Sequence, residues 1–277
     1  MASIRDGDEG DVGVAFSGGL DSTLLAKVCG DLGKHITLLT VCFESAKDIE
    51  VSREVAELIG FNLQYDLISL DELESGLKTV LDVIEFDRLV RLENCVCFYY
   101  VFRLASKHGL SEVLSANGMD ELFCGYSSYK ELFGHEDEMT DLMKTLVEVA
   151  RKDKQEMDKL ALLFGVRYLC PFLSDGFVEY AMNVPSELKI NSREDNLRKH
   201  IVREVAIEIG VPAAAAMREK KAFQYSSGIH KAIRKLARTK GFTRPDANVA
   251  GFSSEAKAYI CSLGYKIPRQ ANPFFVP

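Results

Sequence analysis

Along the first half of the chain, short apolar runs alternate with longer stretches in which apolar residues recur every three or four positions. The runs "DVGVAF", "HITLLTVCF", "NLQYDLIS" and "SEVLSANG" read as buried strands. Between them, "DSTLLAKVCGDLG" reads as a helix stopped at Gly30 or Gly33, and "KDIEVSREVAELIG" as a second helix ending at a glycine. "DELESGLKTVLDVI" predicts a helix with Ser69 or Asp71 near its cap, and "NCVCFYYVFRLASKHG" predicts a largely buried one. Strands alternating with helices of this length imply parallel pairing, hence a doubly wound α/β sheet covered on both faces.

After about Tyr126 the strand pattern stops. "EMTDLMKTLVEVARKDKQEMDKLALLFG", "SDGFVEYAMNV", "NLRKHIVREVAIEIG" and "GIHKAIRKLART" all carry helical spacing, broken at Pro171, Pro185 and Pro212. The expected architecture is an α/β domain over residues 1–126 followed by an all-helical lobe over 127–277. The closing "KIPRQANPFFVP" reads as irregular, with its phenylalanines packed back on the body.

Composition narrows this picture only modestly. The chain has 277 residues, 47% of them hydrophobic and 27% charged, enough for a sizeable core under a polar surface. No apolar run approaches a membrane span, and the acidic start "MASIRDGDEGDVG" lacks the pattern of a signal peptide. Seven cysteines without framework spacing point to a reducing compartment, so a cytoplasmic protein is expected. Cys95-x-Cys97 and the five histidines show no zinc-ligand spacing. The net charge of −7 argues against indiscriminate nucleic-acid binding, yet Arg198 to Arg244 holds twelve Lys/Arg against three Glu. That stretch is either a solvated helical face or a surface for phosphates.

The chemistry sits where strands hand over to helices. In "VGVAFSGGLDSTLL", Ser17, Gly18 and Gly19 set backbone N–H groups, unobstructed by side chains, at a helix N-terminus. Ser22 and Thr23 add hydroxyls. Asp21 is the misfit, because a carboxylate repels phosphate unless a cation lies between, so it argues for Mg²⁺. Taken alone, the same residues could be a helix cap over a tight glycine turn. In "LSANGMDELFCGYSSY", Gly118 gives backbone freedom while Asp120 and Glu121 offer carboxylates at the same sheet edge, where open α/β sheets bind ligands.

The first loop resembles the Ser-Gly-Gly-x-Asp-Ser/Thr pyrophosphate loop of the ATP pyrophosphatase (PP-loop) superfamily, which splits ATP between the α- and β-phosphates. The second is similar to the asparagine synthetase motif Ser-Gly-Glu-Gly-Ala-Asp-Glu-Leu-Phe-Gly-Gly-Tyr, and "RYLCPFLSD", "RKHIVREVA" and "MREKKAFQYSSG" resemble later blocks of that family. The resemblance covers about residues 12–230. It implies the synthetase domain of that family, a sheet of the adenine nucleotide alpha hydrolase-like (HUP) type, and ATP with Mg²⁺ as cofactors.

By resemblance, the phosphates would lie on Ser17, Gly18, Gly19, Asp21, Ser22 and Thr23, with Gly118 nearby. Leu39 and Val41 would offer backbone groups to adenine, Asp21 and Asp120 would hold Mg²⁺, and Lys220 would neutralise charge in the transition state. The implied reaction adenylates a carboxylate, aspartate first among them, releases pyrophosphate, and passes the acyl group to ammonia with release of AMP. No glutaminase domain or N-terminal catalytic cysteine is read in the chain, so nitrogen would come from free ammonia or a separate glutaminase subunit; a homodimer is an open possibility.

The chain departs from the family where the acceptor would bind. Arg198 stands where the family has a glutamate that helps deprotonate the amine, and arginine is no base. Ala116-Asn117 replaces Gly-Glu, and Ser174 replaces an aspartate with Asp175 following. Two other readings stay open: a tRNA-modifying enzyme that adenylates a base carbonyl, and a non-catalytic ATP-binding subunit or sensor.

Overall fold

The structure is a computed structural model and describes residues 11–43, 48–219 and 227–265. Five parallel strands form one sheet in the order β3-β2-β1-β4-β5: β1 (Val12–Ala15), β2 (Ile36–Phe43), β3 (Asn62–Ile68), β4 (Glu112–Leu114) and β5 (Arg167–Leu169). The order reverses between β1 and β4, whose ends therefore bound a crevice at the carboxyl edge. β1 is buried throughout, as a strand covered on both faces must be.

The helices of the first half follow the periodicity. α1 (Leu20–Asp31) ends before Gly33, which takes φ +79°. α2 (Asp48–Ile59) and α3 (Leu70–Val83) come next, α3 with a capping box in which Ser69 and Glu72 bond each other's backbone N–H. α4 (Leu89–Lys107) starts at Leu89, a turn earlier than its apolar pattern indicates, because Arg88 and Arg91 are both paired with Asp153 and so tolerate partial burial. The one-turn helices α5 (Met119–Leu122) and α6 (Ser128–Glu131) follow β4.

Among the described residues the second half is helical, with one addition. β5 belongs to it and completes the sheet, although three residues, "RYL", are too few to show a period. Before β5 runs α7 (Glu136–Leu162), and after it come α8 (Asp175–Met182), α9 (His200–Glu208), α10 (Ala213–Ala216), α11 (Ile229–Thr239), α12 (Arg244–Val249) and α13 (Glu255–Ser262). One large apolar cluster runs from Val12 through Phe102 and Tyr168 to Ile260, so residues of both halves share it.

α9 departs from expectation. The helical pattern begins at Asn196, but the helix begins at His200. Asp195 turns the chain first, accepting from the N–H groups of Asn191, Leu197 and Arg198, and Arg198 and Lys199 both adopt left-handed backbone. Hydrophobic periodicity carries no sign of such a turn, because these Asp195 bonds run to backbone N–H groups and leave no apolar trace. The segment "KIPRQANPFFVP", expected to pack its phenylalanines on the body, lies outside the described residues.

Candidate active site

The loop between β1 and α1 is held by its own hydroxyls. The Ser17 N–H donates to Ser22 Oγ at 3.3 Å, the Gly19 N–H to Ser17 Oγ at 3.4 Å, and Ser22 Oγ to the Gly19 carbonyl at 3.3 Å. Thr23 is fully buried and donates its hydroxyl to the same carbonyl at 2.8 Å, so it builds the loop rather than facing a ligand. Gly18 takes φ +67°, and a Cβ there would stand 3.0 Å from the Val51 carbonyl oxygen, so both conformation and space require glycine. Gly19 is the N-cap of α1, and among the described residues no side-chain cap bond is made to that helix. The first turn of α1 therefore presents N–H groups with the positive end of the helix behind them.

The loop after β4 is built differently. Gly118 takes φ +109° and would put a Cβ 2.9 Å from the Phe172 carbonyl oxygen. Glu121 does not reach the crevice as its position in the motif suggests. Its carboxylate turns back, accepting from the Gly118 N–H at 3.1 Å and from the Tyr126 hydroxyl at 2.6 Å, while the Tyr129 hydroxyl donates to its carbonyl. Asn117 donates to the Tyr168 hydroxyl at 3.1 Å, and that hydroxyl also bonds Ser115 Oγ at 2.7 Å. Only Asp120, one residue before Glu121, is presented to the crevice by this network.

Asp21 and Asp120 meet at a residue that the sequence reading passed over. Lys199 Nζ lies 2.6 Å from Asp21 Oδ2 and 2.6 Å from Asp120 Oδ1, and its side chain is 3% exposed. Burial alone would lower the lysine pKa, but the two carboxylates outweigh it and raise it, so the ammonium is charged. Asp21 Oδ1 is buried with no hydrogen-bond partner among the described residues. Gly125 backs the pair: a Cβ on it would stand 2.1 Å from Asp120 Oδ1 and 2.6 Å from Lys199 Cε. The signal that could have found Lys199 is its place beside Arg198 in a block already matched to the family.

The turn that carries Lys199 is braced by buried cations. Arg198 donates Nε to the Gly125 carbonyl at 3.2 Å and Nη1 to the Asp195 carbonyl at 3.1 Å, which makes it a tie between two loops. Arg203 is 4% exposed and donates to the carbonyls of Leu197, Arg198, Ala216 and Arg218. Asp195 also accepts from the His200 ring at 2.6 Å; burial raises its pKa, but the Arg198 and Asn191 N–H groups and His200 outweigh that and hold it at about 2.

The remaining expected residues divide. The Leu39 carbonyl already accepts from the Phe16 N–H at 2.9 Å, within the sheet. Phe43 donates its N–H to the Ser227 carbonyl at 2.9 Å, so Val41, of the same parity, presents its backbone between those two bonds, past the end of β1. Asp175 points outward, 96% exposed and paired with Arg151 at 2.6 Å, so it does not replace the carboxylate missing at Ser174. Lys220 lies outside the described residues. Burial pushes the Cys124 thiol up to about 12 and raises that of Cys170, as for buried cysteines used in packing.

A family model described as asparagine synthase matches residues 7–154 and 134–259. The chain belongs to the asparagine synthase family. A protein named putative asparagine synthetase [glutamine-hydrolyzing] 1 from Methanocaldococcus jannaschii is 29% identical over 269 residues, covering 86% of this chain and 49% of that protein. Asparagine synthetase B [glutamine-hydrolyzing] from Escherichia coli is 24% identical over 231 residues, covering 78% of this chain and 41% of that one. The chain therefore spans about half the length of the curated relatives it matches, or less. A solved structure titled predicted subunit of tRNA methyltransferase, from Methanocaldococcus jannaschii, aligns with a TM-score of 0.37 at 17% identity, covering 76% of this chain and 94% of that one. A likeness of that size carries no argument about function. Membership makes the chain a PP-loop protein with ATP as the cofactor of its family. Among the described residues no helix is long and apolar enough to cross a membrane.

Proposed function

We propose that this chain is an AMP-forming, ATP-dependent ligase of the asparagine synthetase type. The observation that carries the reading is the convergence of Asp21 and Asp120, from two loops of one sheet edge, on a single positive charge beside the uncapped N-terminus of α1. Phosphates would take the N–H groups of the first turn of α1, beside Ser17 and Ser22, with Gly18 and Gly19 allowing close approach. Val41 would offer its backbone to adenine, while Gly118 shapes the loop opposite.

The residues fit Mg²⁺. Two carboxylates converge, one of their oxygens is buried without a hydrogen bond, and among the described residues no cluster of three His, Cys, Asp or Glu forms a dedicated cage. That donor set suits a hard ion that keeps most of its shell for water and substrate phosphates. When bound, Mg²⁺ would neutralise the charge on the leaving pyrophosphate.

In this reading a carboxylate substrate, aspartate foremost, displaces pyrophosphate from the α-phosphorus, and an amine then displaces AMP from the acyl-adenylate. Ammonia would arrive free or from a separate glutaminase subunit. Lys220 would meet charge on the departing phosphates. Arg198 does not replace the family's glutamate as a base, because its guanidinium is bound to two carbonyls; deprotonation of the amine falls to another group or to solvent.

The test is release of pyrophosphate and AMP from Mg·ATP with ammonia and a panel of carboxylates that includes aspartate. Release that depends on one carboxylate supports the reading; none with any of them overturns it. ATP binding without turnover would point to a nucleotide-binding subunit instead. For a tRNA acceptor the basic stretch offers less than its count suggests. Arg198, Lys199 and Arg203 are buried, Arg234 and Arg238 share Glu255, and Lys240 pairs with Glu74. Steep salt dependence of tRNA binding would restore that acceptor.

A further inference from the structure

The proposed function places a divalent cation between Asp21 and Asp120, and the molecule already holds a cation there. We infer that Lys199 is the resident counter-ion of this site, which fills the cation seat until nucleotide arrives and so makes divalent-metal binding depend on nucleotide. This rests on the ligase reading, and concerns the order in which its ligands enter.

Three observations carry it. Lys199 Nζ contacts both carboxylates at 2.6 Å, which is direct ion-pair distance on each side and leaves no room for a second ion on the line between them. The lysine is 3% exposed, so the pairing is not a loose surface contact that a free ion could share. Finally, the backbone is committed to this placement. Arg198 and Lys199 both hold left-handed φ, +51° and +55°, a conformation that non-glycine residues keep only where the surroundings determine it. Asp195, Arg198 and Arg203 supply those surroundings through bonds to carbonyls and N–H groups. Gly125 supplies the space, since a Cβ there would meet both Asp120 and Lys199.

The charge balance gives the consequence. Two carboxylates and one ammonium leave the seat with a net charge of one negative, too little to hold a hydrated divalent ion against a buried ammonium at contact distance. Polyphosphate brings the extra negative charge, and the ammonium then has a second anion to meet. Metal is expected to enter with nucleotide and not before it.

The experiment uses the full chain and Mn²⁺ as probe, with free Mn²⁺ read by electron paramagnetic resonance. Wild-type protein is expected to bind Mn²⁺ at least tenfold more tightly in the presence of a non-hydrolysable ATP analogue than without it. Lys199→Met keeps side-chain length and adds no new backbone cost, and is expected to bind Mn²⁺ without nucleotide at least tenfold more tightly than wild type. Lys199→Arg is expected to keep the block. Should Lys199→Met fold poorly, Mn²⁺ is expected to raise its melting temperature and leave that of wild type unchanged. Equal Mn²⁺ affinity with and without nucleotide in wild type overturns the inference while leaving the ligase reading intact. Failure to bind the ATP analogue at all overturns both.

Discussion

Two loops leave the same sheet edge and are built on opposite plans. The loop after β1 spends its hydroxyls on itself, at 2.8 to 3.4 Å, and leaves the N-terminus of α1 uncapped. The loop after β4 is bolted from behind by Glu121, Tyr126, Tyr129 and the Tyr168 network, and presents a single aspartate. One is, in the proposed reading, a cradle for an anion; the other is a bracket that sets the position of one carboxylate. Similar motif density in the sequence thus conceals different tasks. Damage to the cradle should show in ligand binding, and damage to the bracket in folding as well.

The sharpest test of the pairing is at the aspartates. Asp21→Asn and Asp120→Asn should each lower pyrophosphate release by about 10²-fold or more, the scale of losing one electrostatic contact to a transition state. If Asp120→Asn alone is harmful, the two loops do not share a cation. Next, Gly125→Ala should cost about 1–3 kcal/mol in urea unfolding, because its Cβ would overlap Asp120. Glu121→Ala should cost about 1–3 kcal/mol by leaving the Tyr126 hydroxyl and the Gly118 N–H without that acceptor. A stability change from Ser17→Ala within about 0.5 kcal/mol, with ATP affinity reduced, would mark the cradle as the region whose work is binding.

Asp195 gives a pH-dependent version of the same contrast. Its folded pKa, about 2, lies below the ordinary value of 3.8, so its contribution is present above pH 4 and is lost as pH falls toward 2. The size is about 2 kcal/mol, from about 1.4 kcal/mol per unit of pKa. Acid unfolding of wild type should steepen in that window, and Asp195→Asn should remove the steepening while lowering stability at neutral pH.

Most of the sheet and the first loop were legible because buried parallel strands and helix starts follow short-range rules. The β5 strand was not, since three residues carry no period. Asp21 stood out because a carboxylate among candidate phosphate donors is locally anomalous, and Asp120 through the resemblance of its motif; their convergence on Lys199 is visible only in the structure. Lys199 was missed for the converse reason. Its meaning depends on two partners far away in the chain, and a lysine in an apparently helical run looks like a surface residue. Glu121 misled in the same way: a carboxylate beside Asp120 in the sequence lies on the other side of the turn in space.

The Lys199–Asp21 contact also has a bearing on how the chain folds. Its partners are separated by 178 residues. Contacts of such separation carry a large loop-closure cost and form late unless intervening structure has already brought the ends together. A chain that ends before Lys199 holds both aspartates without the ammonium that joins them. Nucleotide-dependent metal uptake would therefore report completion of the fold itself, and a ligand that binds only that finished state would stabilise the whole chain at once.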